Sequence, residues 1–90
     1  MSIREKNMFI NKTGSGRNNI CGSNIAKYRK EQGLSQRALA ERLQIFGLDI
    51  EKNAIQRMES GQRFITDIEM VYLARALDKT LDELVDPTLL

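Results

Sequence analysis

"ERLQIFGLDIEKNAIQRMESGQR", residues 41–63, carries the end of one helix, a connection and a second helix, and its reading decides the fold. Leu43 closes an apolar stripe that Leu39 and Ala40 begin, and Ile55 and Met58 open another at helical spacing. Nine residues, Gln44 to Lys52, separate Leu43 from Asn53, beyond the about 2–8 residues that usually join helices in small bundles. The simplest reading extends the first helix through Gln44, Ile45 and Phe46 and stops it at Gly47, where a left-handed backbone costs little. Leu48-Asp49-Ile50 then runs extended into Glu51, the N-cap of the next helix. Glu is a weak side-chain cap, although its charge suits a helix N-terminus. Ile45, Phe46, Leu48 and Ile50 are too apolar for a free loop, so some of them should fold back as a clasp.

Working outward, the pattern stays helical from Asn24 to the Asp86-Pro87 step. Ile25 and Tyr28 start the first stripe, which Gly33 ends. Ser35 is an N-cap for a helix from Gln36 to at least Leu43. The third helix covers Lys52 to Ser60 and stops at Gly61; its inner face is Ile55 and Met58, which leaves Asn53, Gln56 and Arg57 on the wet face. Thr66 with Glu69, and Thr80 with Glu83, are capping boxes for two further helices. Met70, Leu73, Ala74 and Leu77 line the fourth; Leu81, Leu84 and Val85 lie in the short fifth. The reading is an all-α bundle of five short helices, with Ile25, Tyr28, Leu39, Leu43, Ile55, Met58, Leu73 and Leu77 inside.

Residues 1–23 have no apolar period and read as a flexible basic arm, with residues 24–90 as the folded domain. The arm carries Arg4, Lys6, Lys12 and Arg17 against Glu5, enough to add sequence-independent affinity for a polyanion by counterion release. The net charge of +2 hides a polarity: residues 1–63 hold twelve Lys/Arg against six Asp/Glu, whereas residues 64–90 hold two against six. A basic front and an acidic back assign one face to a polyanion and leave the other for a different contact.

One cysteine, Cys21, excludes an intrachain disulfide, and with no histidine the usual zinc sets cannot be assembled. Met8-Phe9-Ile10 is far too short for a signal-peptide core, and no stretch reads as a membrane span, so a cytoplasmic location is expected. There is no nucleophile motif or Gly-rich phosphate loop, and the carboxylates mostly occupy caps or helix surface. Neither an enzyme nor a cofactor is expected.

The words "IAKYRKEQGLSQRALAERL", "NAIQRMESGQR" and "LARALDKTLDELV" occur in an order and spacing that resemble the Cro/repressor helix-turn-helix family, typified by phage lambda-type repressors. The resemblance covers Ile25 to Val85 and departs from the family pattern in the long turn and in Glu51 as a cap. It implies a lambda repressor-like five-helix domain whose third helix lies in the major groove of double-stranded DNA. By position it implies base reading by Lys52, Asn53, Gln56 and Arg57, backbone contacts from Ser35, Gln36 and Arg63, and a structural ion pair between Arg29 and Glu59. Asn pairs bidentately with adenine, and Arg or Lys with guanine, which suits the first set. A repressor acting as a homodimer on a palindromic operator is the expected function, with Leu81, Leu84, Val85, Leu89 and Leu90 as the apolar surface for the second copy. The other reading keeps the fold and turns the apolar loop or the C-terminal helix toward a protein partner, as an antitoxin does.

Overall fold

The computed structural model describes residues 12–90. Five α-helices follow one another: α1 (Gly22–Glu31), α2 (Gln36–Phe46), α3 (Lys52–Glu59), α4 (Asp67–Leu77) and α5 (Leu81–Leu84). A 3-10 turn, Pro87–Leu89, ends the chain, and no strand occurs among the described residues.

Local chemistry explains where each helix begins. The Ser35 hydroxyl accepts the Ala38 N–H at 2.9 Å, and Thr66 and Thr80 each form a reciprocal capping box with the glutamate three residues on. These contacts satisfy N–H groups that the first turn of a helix leaves unpaired. Glu51 precedes α3 in an extended conformation and makes no side-chain cap bond. The helices α1 to α4 end alike, in a left-handed residue followed by paired N–H bonds to the third and fifth preceding carbonyls: Gly33 and Leu34, Gly47 and Leu48, Gly61 and Gln62, Asp78 and Lys79.

The helices enclose a small core. Ile25, Leu39, Leu43, Ile55, Met58, Leu73, Leu77 and Leu84 are fully buried. Tyr28 was expected among them but lies at the edge. Its hydroxyl donates to Glu83 O at 2.9 Å, and the Lys79 ammonium sits 4.6 Å from the ring centre. A ring with a polar tip gains by keeping that tip at the rim, where a carbonyl and a cation are available. Cys21, Ile50 and Ala76 enter the core from positions that the stripes do not mark.

The long turn divides its apolar residues. α2 runs to Phe46, and Gly47 stops it at φ 110°. Ile50 is buried and Leu48 packs against the core, while the Gln44 amide holds Ile50 O at 3.0 Å. The clasp is therefore Leu48 and Ile50 alone: Ile45 is 86% exposed and Phe46 47%. Ile45 falls on the face opposite the buried stripe of Leu39, Ala40 and Leu43, whereas Phe46 continues that stripe three residues beyond Leu43 and stays half-exposed because it stands in the last turn.

Two expectations change at the ends of the chain. Residues 1–11 of the expected arm lie outside the described residues, but residues 13–23 do not behave as an arm. Arg17, Asn18 and Asn19 are hydrogen-bonded to the body, Cys21 is buried, and α1 starts at Gly22. Polar backbone carbonyls at the end of α3 are their partners, a signal that apolar periodicity does not carry. At the other end, Leu84 is fully buried and Val85 packs against the core, while Leu81 and Leu90 of the expected C-terminal apolar surface stay exposed. Phe64, Ile68 and Val71, leading into and along α4, are exposed as well.

Leu39→Ala should lower stability by about 2–5 kcal/mol in urea unfolding, since it empties a fully enclosed site. A loss below about 0.5 kcal/mol would remove Leu39 from the core.

Candidate nucleic-acid interface

Helix α3 is held from inside and left free outside. Ile55 and Met58 are fully buried on one side. Lys52, Asn53, Gln56 and Arg57 are all exposed, and none makes a side-chain hydrogen bond or ion pair among the described residues. Asn53, Gln56 and Arg57 stand at i, i+3 and i+4, one surface of the helix, with Lys52 at its start. Between α2 and the first turn of α3 lies an open groove of about 490 Å³, lined by Arg37, Glu41, Gln44, Glu51, Lys52 and Asn53 among others. Arg37 is an exposed cation on this face that the sequence reading passed over, although it follows Gln36 in the first turn of α2.

The orientation of α3 rests on Glu59. Arg29 Nε donates to Glu59 Oε2 at 2.6 Å and Arg29 Nη2 to Oε1 at 3.0 Å, a bidentate pair with side chains 10% and 8% exposed. The third edge of the guanidinium reaches Leu34 O at 2.8 Å. Gln36 Nε2 donates to Glu59 Oε1 at 2.9 Å. One carboxylate thus joins α1, the α1–α2 turn, the start of α2 and the end of α3, with the fork geometry that makes Arg–carboxylate pairs directional.

The three residues assigned to backbone contacts are thus already engaged within the protein. Ser35 caps α2, and Gln36 is tied to Glu59. Arg63 grips both Glu69 oxygens at 2.9 Å and also donates to Phe64 O. Each is a positioned group: the Ser35 hydroxyl accepts a first-turn N–H, and Gln36 and Arg63 donate to enclosed carboxylates.

Burial pushes the Glu69 carboxyl up, but hydrogen bonds from Arg63 and from Thr66 outweigh it and hold the group below its ordinary 4.5. The hydrogen bond to Glu69 raises Arg63 in turn. Glu83 is also held low, by the Thr80 backbone and hydroxyl.

A strap of three residues closes the far end of α3. Asn19 Nδ2 donates to Met58 O and Arg63 O at 2.9 and 2.8 Å. Arg17 donates to Glu59 O at 3.3 Å and Ser60 O at 3.5 Å. The Asn18 backbone N–H reaches Gly61 O at 2.7 Å, and its side chain reaches Gln62 O at 2.8 Å. Every carbonyl from Met58 to Arg63 therefore accepts from the strap. Asn19 Oδ1 accepts in turn from the Cys21 and Gly22 N–H groups, capping α1. Two glycines permit the fit: a Cβ on Gly22 would stand 2.0 Å from Met58 O, and one on Gly61, at φ 83°, would stand 2.8 Å from Arg17 Cζ. Sequence reasoning missed the strap, though an Asn three residues before a helical glycine is a capping signal.

A family model described as helix-turn-helix matches residues 25–84. The chain belongs to the Cro/C1-type helix-turn-helix family, a class of DNA-binding transcriptional regulators. Among solved structures, it is similar to the restriction-modification controller protein C.AhdI from Aeromonas hydrophila, at 30% identity and a TM-score of 0.62, over 70% of this chain and 84% of that one. No curated protein sequence matches the chain significantly.

Glu59→Gln should cost about 3–5 kcal/mol in urea unfolding, because it leaves the enclosed Arg29 without its counter-charge. A loss under about 1 kcal/mol would show that the ion pair is dispensable. The lowered carboxyls of Glu69 and Glu83 stabilise the fold above their unfolded pKa, and that contribution is lost as pH falls through the folded value. Stability should therefore decline below about pH 5, and Glu69→Gln should flatten part of the slope. An unchanged slope in Glu69→Gln would exclude Glu69 as a source.

Proposed function

We propose that this protein is a non-catalytic, cytoplasmic repressor that binds specific double-stranded DNA sites by laying α3 in the major groove. The observation that carries this reading is the polar face of a helix whose opposite face is locked: Lys52, Asn53, Gln56 and Arg57 are exposed and have no partner among the described residues, while Ile55 and Met58 are fully buried. Base-edge recognition needs donors and acceptors without internal partners, held on a rigid element. Asn53 and Arg57 take adenine and guanine edges, with Gln56 beside them and Lys52 at the groove mouth. The start of α2, with Ser35 and Gln36, lies against the sugar-phosphate backbone through its free N–H groups. Arg63, whose guanidinium is paired with Glu69, contacts phosphate through its remaining N–H groups.

One such domain reads only a few base pairs, so a homodimer on a palindromic operator completes the site. The exposed Leu81 and Leu90 at the C-terminal end, with Phe64, Ile68 and Val71 of the α4 region, offer apolar surface for the second copy, since Leu84 and Val85 are committed to the fold.

A second reading has its own support. Ile45 and Phe46 are exposed beside the long turn, a surface for a protein partner in the manner of an antitoxin. Tight partner binding without retention on DNA in low salt would favour it.

Selection of bound sequences from a random DNA pool defines the site, and variants then test the reader. Asn53→Ala and Arg57→Ala should fold normally, weaken binding to the selected duplex by about 1–3 kcal/mol, and each relax preference at one base pair. Arg63→Ala should weaken selected and random duplexes together. Wild-type binding by both Asn53→Ala and Arg57→Ala would remove α3 as the reader and leave the protein-partner reading.

A further inference from the structure

The strap has no part in the reading face, yet three residues of it take up six consecutive carbonyls at the end of the reading helix. We propose that Arg17 and Asn19 are positioning residues for DNA readout: they set the tilt of α3 by gripping its C-terminal end and the loop that follows. The proposal rests on α3 being the reader.

The reasoning starts from how little else fixes this helix. α3 has eight residues, and its N-terminal end hangs from an extended linker with no side-chain cap. Its inner face makes two deep contacts, Ile55 and Met58, less than one turn apart. Two neighbouring apolar contacts locate a helix but resist rocking about the line between them only weakly, because dispersion is not directional. Ile50 and the Gln44 amide anchor the linker before α3, but among the described residues the directional side-chain bonds to the helix itself lie at its C-terminal end: the Glu59 carboxylate pair and the strap.

The lever is long enough to matter. Asn53 is six residues from Glu59, roughly 9 Å along the helix axis, so a tilt of about 10° about that end displaces Asn53 by roughly 1.6 Å. Functional groups need to be held within about 0.5 Å of their productive positions. Loss of the grip would therefore misplace Asn53 while the core stays closed.

Charge and connectivity support the same assignment. Arg17 sets a cation at the negative end of the α3 dipole. Its Nε donates to Asn19 O at 3.2 Å, which binds the two gripping residues to each other. Asn19 is a joint and not a simple cap, since it accepts from the first N–H groups of α1 and donates to the carbonyls at both sides of the α3 turn. Any movement of α3 relative to α1 has to break it.

Two conservative variants of the full chain separate positioning from charge and from folding. Arg17→Lys keeps the cation and loses the fork; Asn19→Asp keeps the acceptor for α1 and loses the donors to Met58 O in α3 and Arg63 O in the loop after it. Binding is measured over a salt series on the duplex recovered by selection and on a fixed random-sequence duplex, with Asn53→Ala in parallel and amide exchange followed through residues 58–63. Arg17→Lys should leave random-duplex affinity and its salt slope unchanged, lower the selected-to-random ratio about tenfold, the size of one lost base contact, and speed exchange at Gly61 and Gln62. Asn19→Asp should lower the ratio in the same direction, with an unfolding transition that remains cooperative. If both variants fold and keep the wild-type ratio while Asn53→Ala loses it, the positioning proposal is overturned and DNA reading by α3 stands. If selected and random affinities fall together with a smaller salt slope, Arg17 is a phosphate contact and the proposal is likewise overturned. If Asn53→Ala itself binds as wild type, the reading on which the proposal rests has failed.

Discussion

Glu59 is the point at which this small protein is tied together. Its carboxylate takes both arms of the Arg29 fork and the Gln36 amide, and its backbone carbonyl accepts from Arg17. A charge this enclosed must be paired, since an isolated carboxylate would cost several kcal/mol to desolvate. The pairing dictates geometry as well as energy: the planar fork meets the carboxylate in one orientation. α1, the start of α2 and the end of α3 are therefore referred to a single side chain. The apolar core holds the helices together, and Glu59 determines how they face.

That arrangement divides the surface of α3 by role. Its inner side chains have no freedom, its end is gripped by polar bonds, and its outer side chains have no partners among the described residues. In a member of a DNA-binding family this division is the useful one, because readout requires unsatisfied polar groups on a rigid support. Three polar groups beside this face are treated differently. Ser35, Gln36 and Arg63 each serve the fold first, as cap, anchor and ion-pair partner. Any new contact from these residues would compete with a bond of the scaffold, whereas one from Asn53 or Arg57 would not.

The long turn shows the same economy at the other end of the helix. It adds a last turn to α2, stops it at a left-handed glycine, and sends Leu48 and Ile50 inward as an anchor for the linker. The linker holds the α3 N-terminus in place without a side-chain cap, so directional control shifts to the C-terminal end, where Glu59 and the strap lie. Similarity to the controller protein C.AhdI covers most of both chains.

Much of this was legible in the order of residues alone. Helix positions followed from stripes such as Leu39, Ala40 and Leu43, and helix ends from Ser35, Thr66, Thr80, Gly47 and Gly61, because capping and left-handed stops depend on near neighbours. The outward face of α3 followed from the same 3.6-residue arithmetic. The tertiary structure decided what depends on partners distant in sequence. It put Ile50 inside and Ile45 outside, moved Tyr28 to the rim, took Leu84 from the surface into the core, and drew Arg63 onto Glu69. Most of all it turned Arg17, Asn18 and Asn19 from part of an expected arm into the strap on α3. Those bonds span about forty residues and end on backbone carbonyls, which every residue possesses and no sequence pattern marks.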